Sequence, residues 1–267
     1  MTEGQVGARD GLARQHGERM SAPRRCLVIP HRGGAGEVPE NTWAGAEHTA
    51  GLGLPWMETD LRRSADGVVV LSHDPDLGRS AGRTEPISAL TWKELSCLDV
   101  GDGRPPVRLD DLLYAFPDLR INVDLKEPGV VQDALQVVRM AGALERVRFA
   151  SFSARRLAVL RRQEPRARTS LGTVDVAGIV LRAEAAVSLP HSRWGWPNGR
   201  ADAVQVPTTF RGVNVVTPRF VAQAHSYGLE VHVWTVNEPA EMRRLAALNV
   251  DALITDVPQR ALEVLGG

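Results

Sequence analysis

The sequence predicts an α/β fold, a (β/α)₈ TIM barrel with a small β-hairpin extension after the second strand. Three observations carry this prediction. Eight short strand-like runs recur along the chain, segments of helical periodicity separate them, and polar residues gather where the strands end. The runs stand at 26–33 (CLVIPHRG), 55–62 (PWMETDLR), 119–126 (LRINVDLK), 147–153 (VRFASFS), 168–173 (RTSLGT), 203–208 (AVQVPT), 230–236 (EVHVWTV) and 251–256 (DALITD). Helical patterns occupy 41–53, 130–144, 220–228 and 238–249, several closing on Gly or Asn as helices do. Parallel strands need crossovers of this kind, and the count favours a closed barrel over an open sheet. One further run, GVVVLSHD at 67–74, follows the second strand too closely for a helical crossover. The turn SADG therefore makes it an antiparallel hairpin partner that decorates the barrel.

With 267 residues, 43% of them hydrophobic, the chain has enough apolar material for one sizeable core, so residues 26–267 are expected to form a single domain. Residues 1–25, polar and rich in Gly and Arg, have little to bury and are expected to form a disordered tail. Met20, just before the first strand, is an alternative start. Lys plus Arg and Asp plus Glu number 32 each, which leaves no global field toward nucleic acid or anionic lipid. Any phosphate binding must be local. Cys26 and Cys97 lack disulfide or zinc-site spacing and are read as two buried thiols. No apolar run reaches the ~20 residues that span a bilayer, and no secretory signal precedes the first strand. The expectation is a cytoplasmic protein without a transmembrane segment, of undetermined oligomeric state.

Four pairs of polar residues fall at predicted strand ends: His31 and Arg32, Glu58 and Asp60, His73 and Asp74, Asp124 and Lys126. In a barrel of this kind those ends carry the active site. Side chains two apart on a strand share a face, so Glu58 with Asp60, and Asp124 with Lys126, can converge in the mouth. Three carboxylates together repel one another unless a cation lies between them, and an all-oxygen set suits Mg²⁺, Ca²⁺ or Mn²⁺ better than zinc. Arg32 and Lys126 would add positive charge for phosphate oxygens. His31 and His73 form a candidate acid and base pair. Gly33 and Gly34 either admit a ligand close to the backbone or mark a tight turn. His48, His191, His225 and His232 lack such company and are read as surface or packing residues. Trp194 and Trp196 in SLPHSRWGWPNGR (188–200) suggest choline binding through cation–π contacts, but the segment precedes a strand, on the stability face, and packing is the favoured reading.

In order, HRGGAGEVPENT (31–42), METD (57–60), HDPDLGR (73–79), VDLK (123–126), HVWTVN (232–237) and ITDVP (254–258) resemble the glycerophosphodiester phosphodiesterase family. The resemblance runs from Cys26 to about Pro258. It implies metal-dependent hydrolysis of a small-molecule glycerophosphodiester to glycerol 3-phosphate and an alcohol, with one divalent cation, Mg²⁺ or Ca²⁺ (Mn²⁺ also suited), and no nucleic-acid partner. His31 and His73 would be catalytic, without distinction of acid from base, and Glu58, Asp60 and Asp124 would hold the metal. Arg32 and Lys126 would grip the phosphate. Trp234 resembles an aromatic that packs against substrate, with core packing as the alternative, and Glu40 and Asn41 resemble residues supporting the His-Arg-Gly loop, with helix capping the alternative for Asn41. Many members have Glu where this chain has Asp124, and the loop after His73 keeps Leu77 and Arg79 but lacks the usual threonines. The stretch between the second and third barrel strands resembles the family's minimal form. A lysophospholipase D-like activity, which predicts an apolar rim at the mouth, and a non-catalytic phosphodiester-binding barrel are the rival readings.

Overall fold

The computed structural model describes residues 26–184 and 201–266. Nine strands build one curled sheet: β1 (Leu27–Pro30), β2 (Trp56–Arg63), β3 (Val69–Leu71), β6 (Arg120–Leu125), β7 (Val147–Ala150), β8 (Arg168–Ser170), β9 (Ala201–Pro207), β12 (Glu230–Trp234) and β13 (Ala252–Thr255). Two two-stranded ribbons accompany it, β4 (Asp76–Leu77) with β5 (Arg83–Pro86), and β10 (Thr209–Phe210) with β11 (Val213–Asn214). The sheet order is β1-β13-β12-β9-β8-β7-β6-β2-β3, and β1 lies against β2 at the seam. All neighbours are parallel except β2 and β3, which pair antiparallel with Leu61 opposite Leu71. The eight parallel strands and the hairpin extension fall where the sequence placed them, and Gly67 at φ +86° makes the connecting turn.

Strand alternation separates two environments. On β2, Met57 and Leu61 face the helical shell, as do Ile121, Val123 and Leu125 of β6, in one apolar cluster. A second cluster on the other half contains Val204, Val206, Val231, Val233, Leu253 and Phe220. The intervening residues point into the barrel, and many of them are polar. The region between β3 and β6 packs as a small satellite, where Val70, Leu77, Ile87, Leu90, Leu95 and Val100 cluster.

Near the strand starts the interior holds charge. Arg148 is 1% exposed. Its guanidinium donates to Asp202 at 2.9 and 3.0 Å and to Glu230 at 2.7 Å, lies 3.3 Å from His232 Nε2, and stacks 4.8 Å from the Trp56 ring centroid. Arg168 adds a 2.5 Å contact to Asp202. This ionic plug replaces the branched apolar layers common in such barrels. It also places His232 in packing, as expected from its lack of neighbouring chemistry in the sequence.

The cysteines depart from expectation. Cys26 is half-buried, its thiol pushed up to about 12 by burial, whereas Cys97 is exposed, so the reading of two buried thiols fails for Cys97. Cys97 sits just beyond a short surface helix, Trp92–Leu95, whose apolar anchor is Leu95. The expected tail 1–25, His191, Trp194 and Trp196 lie outside the described residues. Among the described residues no helix is long and apolar enough to cross a membrane.

Candidate active site

At the end of β1 the chain turns through a single 3₁₀ turn, His31–Gly33, in which Arg32 is left-handed at φ 51°. Gly33 (φ +82°) and Gly34 (φ +100°) continue that geometry, which side chains resist. A Cβ on Gly33 would stand 2.6 Å from the Gly45 Cα. The glycines therefore serve the turn and its close packing on the helix Trp43–Gly51. That helix is capped by Thr42, whose hydroxyl accepts from the Gly45 N–H at 3.2 Å. Capping by Asn41 is thus excluded. Asn41 instead fastens the loop to β2: its N–H donates to the Arg32 carbonyl (2.9 Å), its Nδ2 donates to Asp60 Oδ2 (3.1 Å), and its Oδ1 accepts from the Thr59 hydroxyl (2.7 Å).

His31 is held between two carboxylates. Its Nδ1–H donates to Asp256 Oδ1 at 2.7 Å, and its Nε2 lies 3.8 Å from Glu58 Oε2. Asp256 follows β13, the sheet neighbour of β1, and is itself steadied by Asn237 Nδ2 at 2.8 Å. Burial alone would lower the His31 pKa, but the hydrogen bond to Asp256 and the charge of Glu58 outweigh it and the net shift is upward. Asp256 was not singled out in the sequence. Its signal was the acidic end of ITDVP, and only the pairing of first and last strands gives it a partner.

Glu58, Asp60 and Asp124 meet as their strand positions predict, since β2 and β6 place Asp60 opposite Asp124. Glu58 accepts from the Arg32 N–H at 3.0 Å and is raised to about 7, first by burial and then by the charge of Asp60. Lys126 Nζ bridges Asp60 Oδ1 and Asp124 Oδ2, each at 2.7 Å. The two carboxylates then diverge. Asp60, despite burial, is held low by Lys126, Arg32 and Asn41, while Asp124 is raised by burial that Lys126 only partly offsets. Asp124 Oδ1 is buried and has no partner among the described residues.

These donors bear on a metal in two ways. With the Lys126 ammonium between Asp60 and Asp124, no group of three or more His, Cys, Asp or Glu among the described residues is disposed to hold an ion. The donor chemistry nevertheless fits a hard divalent cation. Glu58 is raised by its burial and then by the neighbouring charge of Asp60, and the buried Asp124 Oδ1 is unsatisfied among the described residues.

His73 follows β3 and repeats the His31 pattern, its Nδ1–H donating to Asp74 Oδ1 at 2.7 Å. Arg79 joins Asp74 (2.9 Å) to Glu40 (2.6 Å), Glu40 accepts from Arg32 Nη1 (3.1 Å), and Arg32 Nε lies 3.2 Å from Asp60 Oδ2. An unbroken chain of ion pairs thus connects His73 to Asp124. Glu40 supports the Arg32 loop as expected, and Arg79 emerges as its second partner. Both expected phosphate-gripping cations, Arg32 and Lys126, are paired with carboxylates here.

Trp234 packs inward against Ile29, Trp56, Ala252 and Ile254, and edge-on against Phe152 with centroids 5.5 Å apart. These contacts match the core-packing alternative. The neighbouring Phe152 is 60% exposed, with Lys126 Nζ 5.9 Å from its ring centroid.

The model of the glycerophosphoryl diester phosphodiesterase family matches residues 31–260. The chain is 35% identical to a Mycobacterium tuberculosis protein named probable glycerophosphodiester phosphodiesterase 2, over 90% of each chain. It is 25% identical to a lysophospholipase D of Rattus norvegicus, covering 89% of this chain and 85% of the relative. The crystal structure of a glycerophosphodiester phosphodiesterase from Agrobacterium tumefaciens superposes with a TM-score of 0.73 at 26% identity, covering 91% of this chain and 100% of that one. With its TIM-barrel fold and its motifs in family order, the chain belongs to the glycerophosphoryl diester phosphodiesterase family, a family of enzymes.

Proposed function

We propose that the chain hydrolyses glycerophosphodiesters to glycerol 3-phosphate and an alcohol in a metal-dependent reaction, with His31 and His73 as its acid and base. The observation that carries this reading is the repeated histidine–carboxylate pair. Asp256 and Asp74 each hold an imidazole through Nδ1 and leave Nε2 to handle a proton. Between these pairs lie Arg32, Lys126 and three carboxylates.

A phosphodiester is anionic, so its hydrolysis requires neutralised oxygens and a protonated leaving alkoxide. One histidine takes the proton of the nucleophile, either water or the substrate's neighbouring glycerol hydroxyl. The other gives a proton to the departing alcohol oxygen as its bond to phosphorus breaks. Glu58, Asp60 and Asp124 would hold a divalent cation, Mg²⁺ or Ca²⁺, which when bound neutralises phosphate charge. Arg32 and Lys126 supply the remaining positive charge, and Phe152, backed by Trp234, packs against the alcohol. The exposure of Phe152 beside Lys126 favours, as a second reading, an alcohol bearing an apolar chain, as in a lysophospholipid.

The test is release of glycerol 3-phosphate from glycerophosphocholine and glycerophosphoglycerol with Mg²⁺, Ca²⁺, Mn²⁺ or EDTA, for wild type, His31→Ala and His73→Ala. Ion-dependent release, lost with EDTA and with either substitution, supports the proposal. Activity on lysophospholipids alone would transfer it to the second reading. Silence on both substrate classes would refute it in favour of a binding-only barrel.

A further inference from the structure

Large exposed apolar side chains gather on one arc of the barrel mouth. Strands β7, β8 and β9 are consecutive neighbours in the sheet, so the loops that follow them are neighbours on the rim. The loop after β7 carries Phe152 (60% exposed), the helix after β8 opens with Val174 (76%), and the β10–β11 ribbon after β9 presents Phe210 (59%) and Val213 (67%). Phe152 and Val174 are locked together, because the Phe152 carbonyl accepts from both the N–H and the hydroxyl of Thr173. Phe210 and Val213 are register partners across the ribbon. Exposed side chains of this size ordinarily scatter. Here four lie on three adjacent loops, continuous through Phe152 with Lys126.

The charge on this arc has a sign. Arg211 stands at the ribbon tip, 5.4 Å from the Phe210 ring centroid. Arg155 and Arg219 are exposed in the first turns of the helices Ala154–Gln163 and Pro218–Ser226. None of these three arginines has an ion-pair partner among the described residues. Two of them stand at helix N-termini, where the helix dipole disfavours a cation, so helix stability does not account for their placement. Acidic residues on the neighbouring loops include Asp175 in the first turn of the helix after β8, Glu127 beside Lys126, and Glu238 after β12.

Apolar side chains at a loop tip, flanked by unpaired arginines, match the chemistry of an anionic phospholipid surface: headgroups for the cations and acyl chains for the rings. We propose that this rim docks the enzyme on anionic bilayers, with the β10–β11 ribbon as its insertion element. The zero net charge provides no long-range pull, so the docking is local and salt-sensitive. The surface is independent of the chemistry proposed for the pocket and is read without turnover.

Sedimentation with vesicles of phosphatidylcholine, alone or with phosphatidylglycerol, measures it directly. Wild type is expected to partition onto the anionic vesicles at low salt and to be released at high salt. Phe210→Ser with Val213→Ser should lower the partition coefficient by about tenfold or more, and Arg211→Glu by roughly tenfold. All three positions are exposed on the ribbon, and unchanged melting temperatures confirm folding. No partition of wild type onto anionic vesicles, or partition insensitive to these substitutions, would overturn the proposal. So would a concentration-dependent dimer that Phe210→Ser with Val213→Ser converts to monomer, because a second copy would then be the occupant.

Discussion

Replacing Asp256 by Asn tests the His31 assignment through a residue that reaches substrate only by way of the imidazole. The Asp256 carboxylate accepts the His31 Nδ1–H at 2.7 Å and counters the lowering effect of burial on that histidine. A hydrogen bond to a charged partner contributes about 1.5–3 kcal/mol, which corresponds to roughly 10- to 150-fold in a rate or equilibrium constant. An amide at this position keeps the size and can still pair with Asn237, so the fold should hold. It loses the negative charge, and its NH₂ can impose the other imidazole tautomer. The assay is kcat/KM for glycerophosphocholine across about pH 5–9 with saturating divalent ion. We expect a 10- to 150-fold loss, an unchanged melting temperature, and a His31-dependent limb moved to lower pH, because removing the carboxylate lowers the histidine pKa. Activity within about threefold of wild type and an unshifted limb would refute the assignment.

Other predictions concern the fold and its pH response. Arg148→Ala removes the buried guanidinium, leaving Asp202 to Arg168 and Glu230 to His232, and should destabilise the protein by roughly 1.5–3 kcal/mol in urea unfolding; a loss under about 1 kcal/mol would show the plug to be dispensable. Gly33→Ala places a methyl group 2.6 Å from the Gly45 Cα at a positive φ, so the His-Arg-Gly turn should be displaced. It should cost about 1–3 kcal/mol from backbone strain alone, and activity should fall with stability. Acid should weaken the fold through Glu230 and His232, two of the partners of Arg148. Glu230 is held at about 2 by its hydrogen bond to His232 and the charge of Arg148, which together outweigh burial, so its contribution is present above its ordinary value and lost as pH falls toward 2. His232 is lowered by burial, so below its ordinary value the unfolded chain takes up a proton that the folded chain refuses. Melting temperatures should therefore drop from neutral pH into the acid range, and the gap between wild type and Glu230→Gln should narrow there; a constant gap would exclude the Glu230 contribution.

Much of the fold was legible because period-2 runs and helical patterns are local. The strand runs and the hairpin carry their own signals in Val, Ile and turn residues, and alternation alone placed Glu58 with Asp60 and Asp124 with Lys126 on the inner face. The candidate histidines were visible for the same reason, each lying at a strand end. The roles of individual loop residues were less legible. Whether Asn41 caps a helix or braces Asp60 depends on where Thr42 points, and whether Gly33 serves a ligand or a neighbour depends on how closely Gly45 approaches.

Fold class, family motifs and the residue types at the mouth are all local properties of the chain. Which of those residues become partners depends on how the strands assemble. Asp256 finds His31 across 225 residues because the first and last strands close the sheet. Arg148, Asp202, Glu230 and His232 form a buried network from positions that look unremarkable one at a time. The apolar rim is likewise assembled from Phe152, Val174, Phe210 and Val213, none of which stands out in its own segment. Hydrophobic period is written in neighbouring residues, whereas an ion pair or a surface patch depends on distances that exist only once distant strands have been brought side by side.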